Sequence, residues 1–186
     1  LVAIASLFWE NSNNLKHNFL SSKNINYADV AWLLTSSSFV LLMTPGLSFF
    51  YGGMVGKKNV ISTMLQSFIS LGVVSLLWVV VGFSLSFGDS LGFEIAGKHY
   101  GIIGNPFDYM FFDNVGSLPH KQLASTIPFV LFALFQMKFA VITPAIITGS
   151  FAERVRFIGY LFFICLFTLF IYTPLCHMVW HPNGLL

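Results

Sequence analysis

The sequence carries very little charge. Only 9% of its residues are Asp, Glu, Lys or Arg, and 56% are hydrophobic, whereas a soluble domain carries about 25% charged residues. This shortage excludes an ordinary soluble domain and favours an integral membrane protein, or a piece of one. The formal net charge of +2 also gives a nucleic-acid partner no electrostatic support.

Cysteine and clustered metal ligands are scarce as well. Cys165 and Cys176 lie in one apolar stretch; on a single helix they would be about 16 Å apart, too far for a disulfide bond with each other. His177 and His181 have the i, i+4 spacing of a zinc-binding helix, but Met178 stands where such a helix carries Glu, and no third ligand follows. We therefore expect neither a metal site nor a cofactor, and we expect these histidines at a pore mouth or an interface.

Long apolar runs, in contrast, dominate the chain. A bilayer core of about 30 Å requires about 20 apolar residues in a helix. Four segments meet this requirement: residues 28–51, 60–87, 123–151 and 157–180. They predict an all-α integral membrane protein. Residues 1–26 form an amino-terminal segment whose apolar tip is too short to span, and residues 89–122 form a long loop.

Proline marks two of the predicted helices. Pro45 and Gly46 are expected to interrupt the first span, because such a pair is tolerated only where protein or a cavity satisfies the freed backbone groups. Pro144 is expected to break the hydrogen-bond ladder of the third span. Asp29 suits a first helical turn, where a carboxylate meets the positive end of the helix dipole.

The two short links between spans carry the orientation signal. One holds Lys57 and Lys58, and the other holds Arg154 and Arg156. Because short loops rich in Lys and Arg stay on the cytoplasmic side, both links are expected inside the cell. The amino-terminal segment and the long loop are then expected outside, in what we expect to be the plasma membrane.

The third span holds the main candidate for a binding site. Phe135 and Phe139 stand at i and i+4, so they share a helix face. Two rings there could each attract a cation by about 0.5–2 kcal/mol, although the spacing alone suits a packing stripe more readily. Gln136, Lys138 and Thr143 favour the binding interpretation, because polar residues within a span usually face an interior.

Trp180 ends the fourth span on the side expected to be outside. Tryptophan is the strongest cation–π ring, which makes Trp180 a candidate third wall of the same mouth; the alternative is an ordinary tryptophan of the membrane interface. Lys138 would repel a cation, but about 100° of helical rotation separates it from Phe139. We expect it to reach the headgroups, to pair with an acid or to face a neighbouring subunit.

Several ordered motifs resemble the ammonium transporter family (Amt/Mep/Rh), and in detail its Amt branch. They lie at residues 45–46, 49–55, 57–60, 77–80, 82–88, 135–140, 149–154 and 177–180. The resemblance covers the chain from about residue 27 to its end. It implies an eleven-span fold with two inverted halves, of which this chain is the amino-terminal fragment with the first four spans. It also implies a homotrimer with one pore in each subunit, and a transporter rather than an enzyme.

The resemblance also implies roles for particular residues. By position, Phe139 matches the outer Phe gate of the family, Trp180 matches the tryptophan of the ammonium recruitment site, and Phe135 matches the aromatic residue beside it. These three are the expected substrate-binding residues.

Three further positions are expected to support the pore. Phe50 and Tyr51 match the aromatic pair that ends the first helix of the family. Gln136 matches a polar neighbour of the gate.

The family's other functional groups are expected beyond this chain. These are an Asp of the fifth span, a Ser of the recruitment site and twin pore histidines, which none of the five His present matches. The segment alone is therefore not expected to conduct.

The mechanism implied by the family begins with capture of ammonium by the aromatic mouth. The ion would give up a proton deeper inside, and ammonia would cross an apolar pore, with or without the proton. The alternatives are an ammonium sensor or truncated regulatory subunit that does not conduct, and a gas channel of the Rh type.

Overall fold

The computed structural model describes residues 18–95 and 98–186. This part of the chain contains four long helices: α1 (Tyr27–Met54), α2 (Val60–Phe87), α3 (Phe129–Phe151) and α4 (Phe157–Trp180). All four are long and apolar enough to cross a membrane, which confirms the four predicted spans. Of the predicted segment 1–26, residues 1–17 lie outside the described part, and Ser22–Asn24 forms a 3-10 turn.

Helix α1 runs through Pro45 and Gly46 without a break, so the predicted interruption is wrong. Asn26 caps the start of the helix by accepting the backbone N–H of Ala28 at 3.0 Å, and Asp29 lies in the first turn as predicted. A proline inside a helix removes one donor from the ladder. Abandoning the helix would leave further backbone groups without partners in lipid, so the helix continues.

Helix α3 begins at Phe129, later than the predicted residue 123. Pro128 precedes the helix with an extended ψ of 134°. Just before it, His120 and Ala124 exchange two backbone hydrogen bonds of 3.0 Å each, and this tight turn uses the apolar residues that the prediction had given to the helix. Pro144 lies inside α3, which continues past it.

Two helices contain a turn of π-helix that the sequence analysis did not predict. The turns are Trp78–Gly82 in α2 and Thr168–Tyr172 in α4. They face each other, because the rings of Trp78 and Tyr172 are 6.2 Å apart between centroids. A π-turn moves the following residues to another face of the helix, and a mostly apolar run has no polar face on which this change could be recognised. Turns of π-helix often occur in functional regions.

Helix α2 packs against the other three helices. Hydroxyl groups connect them: Ser48 Oγ donates to the carbonyl of Met64 at 3.1 Å, and Ser70 Oγ donates to that of Val141 at 3.0 Å. Tyr160 of α4 donates to a backbone carbonyl of α2 at 3.2 Å. Such bonds help helices associate in a membrane, where apolar surface alone gives little preference for protein over lipid.

The long loop contains a hairpin that the sequence analysis did not predict. Strands β1 (Ser90–Ile95) and β2 (Lys98–Gly104) pair antiparallel. The buried carboxylate of Asp108 fixes the base of the hairpin by accepting the N–H of Asp89 at 2.6 Å and the side-chain amide of Asn105 at 2.8 Å. We call this side of the helices the hairpin end.

His120 lies in an aromatic cluster at the hairpin end. Its ring stacks on Phe129, with centroids 4.9 Å apart, and meets the edge of Phe19 at 5.5 Å. Nδ1 of His120 accepts the N–H of Leu123 at 3.2 Å. Burial, with a smaller effect of Lys121, lowers the pKa of His120 to about 4, so the ring is neutral at pH 7.

The two short links meet at the opposite side, the link end. Glu153 Oε1 accepts the backbone N–H of Gly56 at 2.8 Å and the side-chain amide of Asn59 at 3.0 Å. These hydrogen bonds, that of Asn59 first, lower the pKa of Glu153. The carboxylate therefore joins the α1–α2 link to the α3–α4 link.

Candidate functional site

Three predicted binding residues lie together near the hairpin end. The ring centroids of Phe135 and Phe139 are 5.1 Å apart, with an interplanar angle of 77°. Those of Phe139 and Trp180 are 6.3 Å apart, at 78°. The i, i+4 spacing aligns the two phenylalanines on α3, and α4 ends beside them, so Phe139 lies between the other two rings.

This aromatic cluster, defined as Phe135, Phe139 and Trp180, is only partly covered. Trp180 is 47% exposed, and both phenylalanines are half-buried. Rings so placed could offer their faces to a small cation, because the negative face of a π-system attracts positive charge. The T-shaped contacts already match the positive edge of one ring with the face of the next.

Gln136, which follows Phe135 in the sequence, has an unsatisfied acceptor. Its side-chain oxygen is buried and has no hydrogen-bond partner among the residues that the structure describes. A buried amide oxygen without a partner costs free energy. The oxygen could therefore accept an N–H from a ligand.

A cavity of about 260 Å³ adjoins Trp180. Its lining is mostly apolar and includes Thr143, Tyr172 and Cys176. The hydroxyl of Thr143 donates to the carbonyl of Phe139 at 2.7 Å, within α3. Sequence reasoning had singled out Thr143 but missed Tyr172, whose position on the π-turn of α4 the apolar run did not reveal.

Phe50 and Tyr51 lie elsewhere, towards the link end. The hydroxyl of Tyr51 donates to the carbonyl of Ile146 at 2.6 Å, and a Cβ at Gly149 would lie 2.7 Å from the Tyr51 ring. Ile146 is about 10 Å along the helix axis from Phe139. The structure therefore does not bring this pair into the aromatic cluster, and Phe50 is exposed beside it.

His177 and His181 contact the hairpin. His177 is fully buried, and the two rings stack with centroids 4.5 Å apart. Burial, then the charge effects of His177 and His120, lowers the pKa of His181 to about 4. Within residues 18–95 and 98–186, no three His, Cys, Asp or Glu side chains are grouped so that they could hold a metal ion.

Comparison with curated proteins gives close relatives. An ammonium transporter of Bacillus subtilis (strain 168) is 45% identical over 156 residues, which cover 82% of this chain and 35% of the relative. One of Mycobacterium tuberculosis (strain ATCC 25618 / H37Rv) is 41% identical over 169 residues, covering 84% of this chain and 34% of the relative. The chain thus spans about a third of the length of these relatives.

Comparison with solved structures gives the same result for the fold. The crystal structure of Saccharomyces cerevisiae Mep2 matches with a TM-score of 0.72 and 29% identity, over 87% of this chain and 33% of that one. A structure described as a sensor Amt protein matches with a TM-score of 0.66 and 29% identity, over 81% and 33%. The sequence model of the Ammonium Transporter Family matches residues 31–186, which is most of the chain, and the chain therefore belongs to this family.

Proposed function

We propose that the protein carries ammonium across a membrane and that the aromatic cluster receives the ion. The observation that carries this proposal is the meeting of Phe135, Phe139 and Trp180, with centroids of adjacent rings within 6.3 Å, where the end of α4 lies against the first half of α3. Membership of the Ammonium Transporter Family supports ammonium as the substrate.

The physical difficulty of such transport is dehydration. A bare cation in hydrocarbon is expensive, and the ring faces offset part of this cost by about 0.5–2 kcal/mol each. The free oxygen of Gln136 offers the ion an acceptor in place of one water molecule. Such a site captures the cation at the mouth but does not carry its charge through the apolar interior.

Selectivity then depends on deprotonation. Potassium is similar in size to ammonium and also attracts ring faces, so the cluster alone separates the two ions poorly. Ammonium can give up a proton and continue as neutral ammonia, whereas potassium cannot. In this proposal the cluster concentrates cations, and a deeper step selects ammonium.

The proposal extends to the assembly and its setting. We propose a multi-pass protein of the plasma membrane, with the amino-terminal segment outside and three identical subunits. Phe50 and Tyr51 support the pore towards its link end, where Tyr51 ties α1 to α3.

Uptake measurements test the site. The full-length protein, expressed in cells without their own ammonium transporters, should give saturable uptake of labelled methylammonium. Trp180→Leu or Phe139→Ala should raise KM by about two- to thirtyfold, since each removes a cation–π contact. Trp32→Leu is the matched control, because Trp32 is exposed on α1, and its KM should stay unchanged.

Two outcomes would contradict the proposal in different ways. Unchanged uptake in both cluster variants would remove the cation site from these residues. A folded wild-type protein in the membrane that takes up no methylammonium would remove the transport function. Because one matched structure is a sensor Amt protein, ammonium binding without uptake would favour the second candidate function, a non-conducting ammonium sensor.

A further inference from the structure

The hairpin is fastened to the end of α4 that carries Trp180. The backbone N–H of Gly101 donates to the carbonyl of Asn183 at 3.2 Å, and Gly101 forms a parallel bridge with Gly184. A Cβ at Gly101 would lie 2.5 Å from the Asn183 oxygen and 2.6 Å from Ser90 Oγ. The strand and the turn after Trp180 are therefore as close as their backbones allow.

Ser90 is the centre of this contact. Its hydroxyl oxygen lies 2.8 Å from Nε2 of His177, 3.1 Å from Nδ1 of His181 and 3.2 Å from the carbonyl oxygen of Asn183. All three of these atoms act as acceptors and the hydroxyl has one proton to donate, so Ser90 donates to one of them at a time, and Nε2 of His177 is the nearest. One side chain of β1 thus contacts three residues at the end of α4.

The two histidines are themselves fixed by backbone groups. Nδ1 of His177 lies 3.0 Å from the carbonyl of Ser86 in α2; a carbonyl only accepts, so this nitrogen carries the proton. Nδ1 of His181 accepts the N–H of Asn183 at 3.1 Å. The rings stack at 4.5 Å, and the Ser90 hydroxyl lies against a nitrogen of each.

Trp180 lies between these two anchored residues in sequence. His177 precedes it by nearly one helical turn, and His181 follows it directly, where the helix ends. Trp180 is 47% exposed, so contacts hold only part of its ring, and the direction of the ring also depends on the backbone from 177 to 181. That backbone is held through His177 and His181.

We propose that Ser90 is a positioning residue that holds Trp180 over Phe139 through His177 and His181. Ser90 acts through Trp180 and does not touch the substrate. This inference rests on the proposed function, because it gives the hairpin a role in capturing the cation. It predicts that loosening the hairpin weakens capture at the mouth and leaves the later transport steps unchanged.

Kinetics of the full-length protein test this role. Ser90→Ala should raise the KM for methylammonium by about three- to tenfold, the effect of losing one hydrogen-bonding group, with little change in maximal rate. Gly101→Ala should also raise the KM, because the added Cβ would push strand β2 away from Asn183. Ser90→Thr keeps the hydroxyl and should restore most of the affinity, whereas Ser117→Ala, an exposed serine of the same loop, should change nothing.

A double-mutant cycle separates positioning from general damage. If Ser90 acts through Trp180, Ser90→Ala should change KM by less than about twofold in a Trp180→Leu background, since coupled residues are not additive. Full additivity of the two changes would overturn the proposal, and so would a normal KM in both Ser90→Ala and Gly101→Ala. If Ser90→Ala does not reach the membrane, the KM of Gly101→Ala and a double-mutant cycle of Gly101→Ala with Trp180→Leu test the proposal instead.

The same data distinguish the two proposals. A normal KM in Trp180→Leu would remove Trp180 from the proposed cation site, and with it the role of Ser90, whereas a normal KM in Phe139→Ala as well would overturn the cation site itself. A raised KM in Trp180→Leu beside a normal KM in Ser90→Ala and Gly101→Ala would overturn only the role of Ser90.

Discussion

Phe139 is in edge-to-face contact with both of its aromatic neighbours, at 77° and 78°. Each such contact contributes about 0.5–1.5 kcal/mol, and a cation on a ring face contributes about 0.5–2 kcal/mol. Because these amounts are similar, a cation can replace an edge contact at little net cost. The proposed capture of a cation at Phe139 therefore requires little net free energy from the loss of one ring contact.

His120 gives a prediction at the scale of one residue. Its pKa is about 4 in the folded protein, against an ordinary value of 6.5. Above pH 6.5 both folded and unfolded states hold the ring neutral. Between pH 6.5 and 4 only the unfolded state binds the proton, so stability should fall by about 3 kcal/mol across this window and level off below it.

Thermal unfolding in detergent between pH 7.5 and 4 would measure this loss. His120→Gln should remove part of the pH dependence, even if it lowers stability at neutral pH. His181, whose pKa is also lowered to about 4, should account for a further part in His181→Gln. A pH dependence unchanged in both variants would contradict the prediction.

The link end gives a prediction at the scale of elements. Glu153 has a positive φ of 65°, which glycine adopts without strain and other residues do not. Glu153→Ala removes the hydrogen bonds to Gly56 and Asn59 and keeps the strain, whereas Glu153→Gly removes the bonds and relieves the strain. The links should therefore open most readily in Glu153→Ala, less in Glu153→Gly and least in the wild type.

Limited proteolysis of the two links would rank the variants. Lys58→Ala is the control, because Lys58 is exposed in the same link. The protease should not cut at Lys, since this variant would otherwise lose a cleavage site. Equal cleavage of Glu153→Ala and the wild type would show that the carboxylate does not hold the links together.

The whole molecule has two chemically different ends. The link end carries Lys57, Lys58, Arg154 and Arg156, and the opposite end carries the hairpin. The positive-inside rule then predicts that the link end faces the cytoplasm. The aromatic cluster, near the hairpin end, would then lie towards the outside of the cell.

Thiol labelling of intact cells tests this orientation. An impermeant reagent should label Ser117→Cys from outside and should label Lys58→Cys only after the membrane is opened. The parent protein, with Cys165 half-buried and Cys176 buried, provides the background. The reverse pattern would invert the proposed topology.

Much of the fold followed from composition and length. Four apolar runs become four membrane helices because lipid leaves the backbone no other partner. The motifs also led to the family, which the comparisons confirm. The predictions failed at Pro45 and at the start of α3, where hydrophobicity cannot distinguish a helix from a turn closed by its own backbone hydrogen bonds.

The sequence by itself determined the four spans, the family and the residues of the aromatic cluster, because each depends on local hydrophobicity or on an ordered motif. Only the tertiary structure decided that Phe139 lies between Phe135 and Trp180, that Tyr51 belongs to the other end, and that Ser90 reaches His177 and His181. These contacts join residues far apart in the chain. They arise from helix packing and from a hairpin folded back onto α4, and no local pattern encodes either.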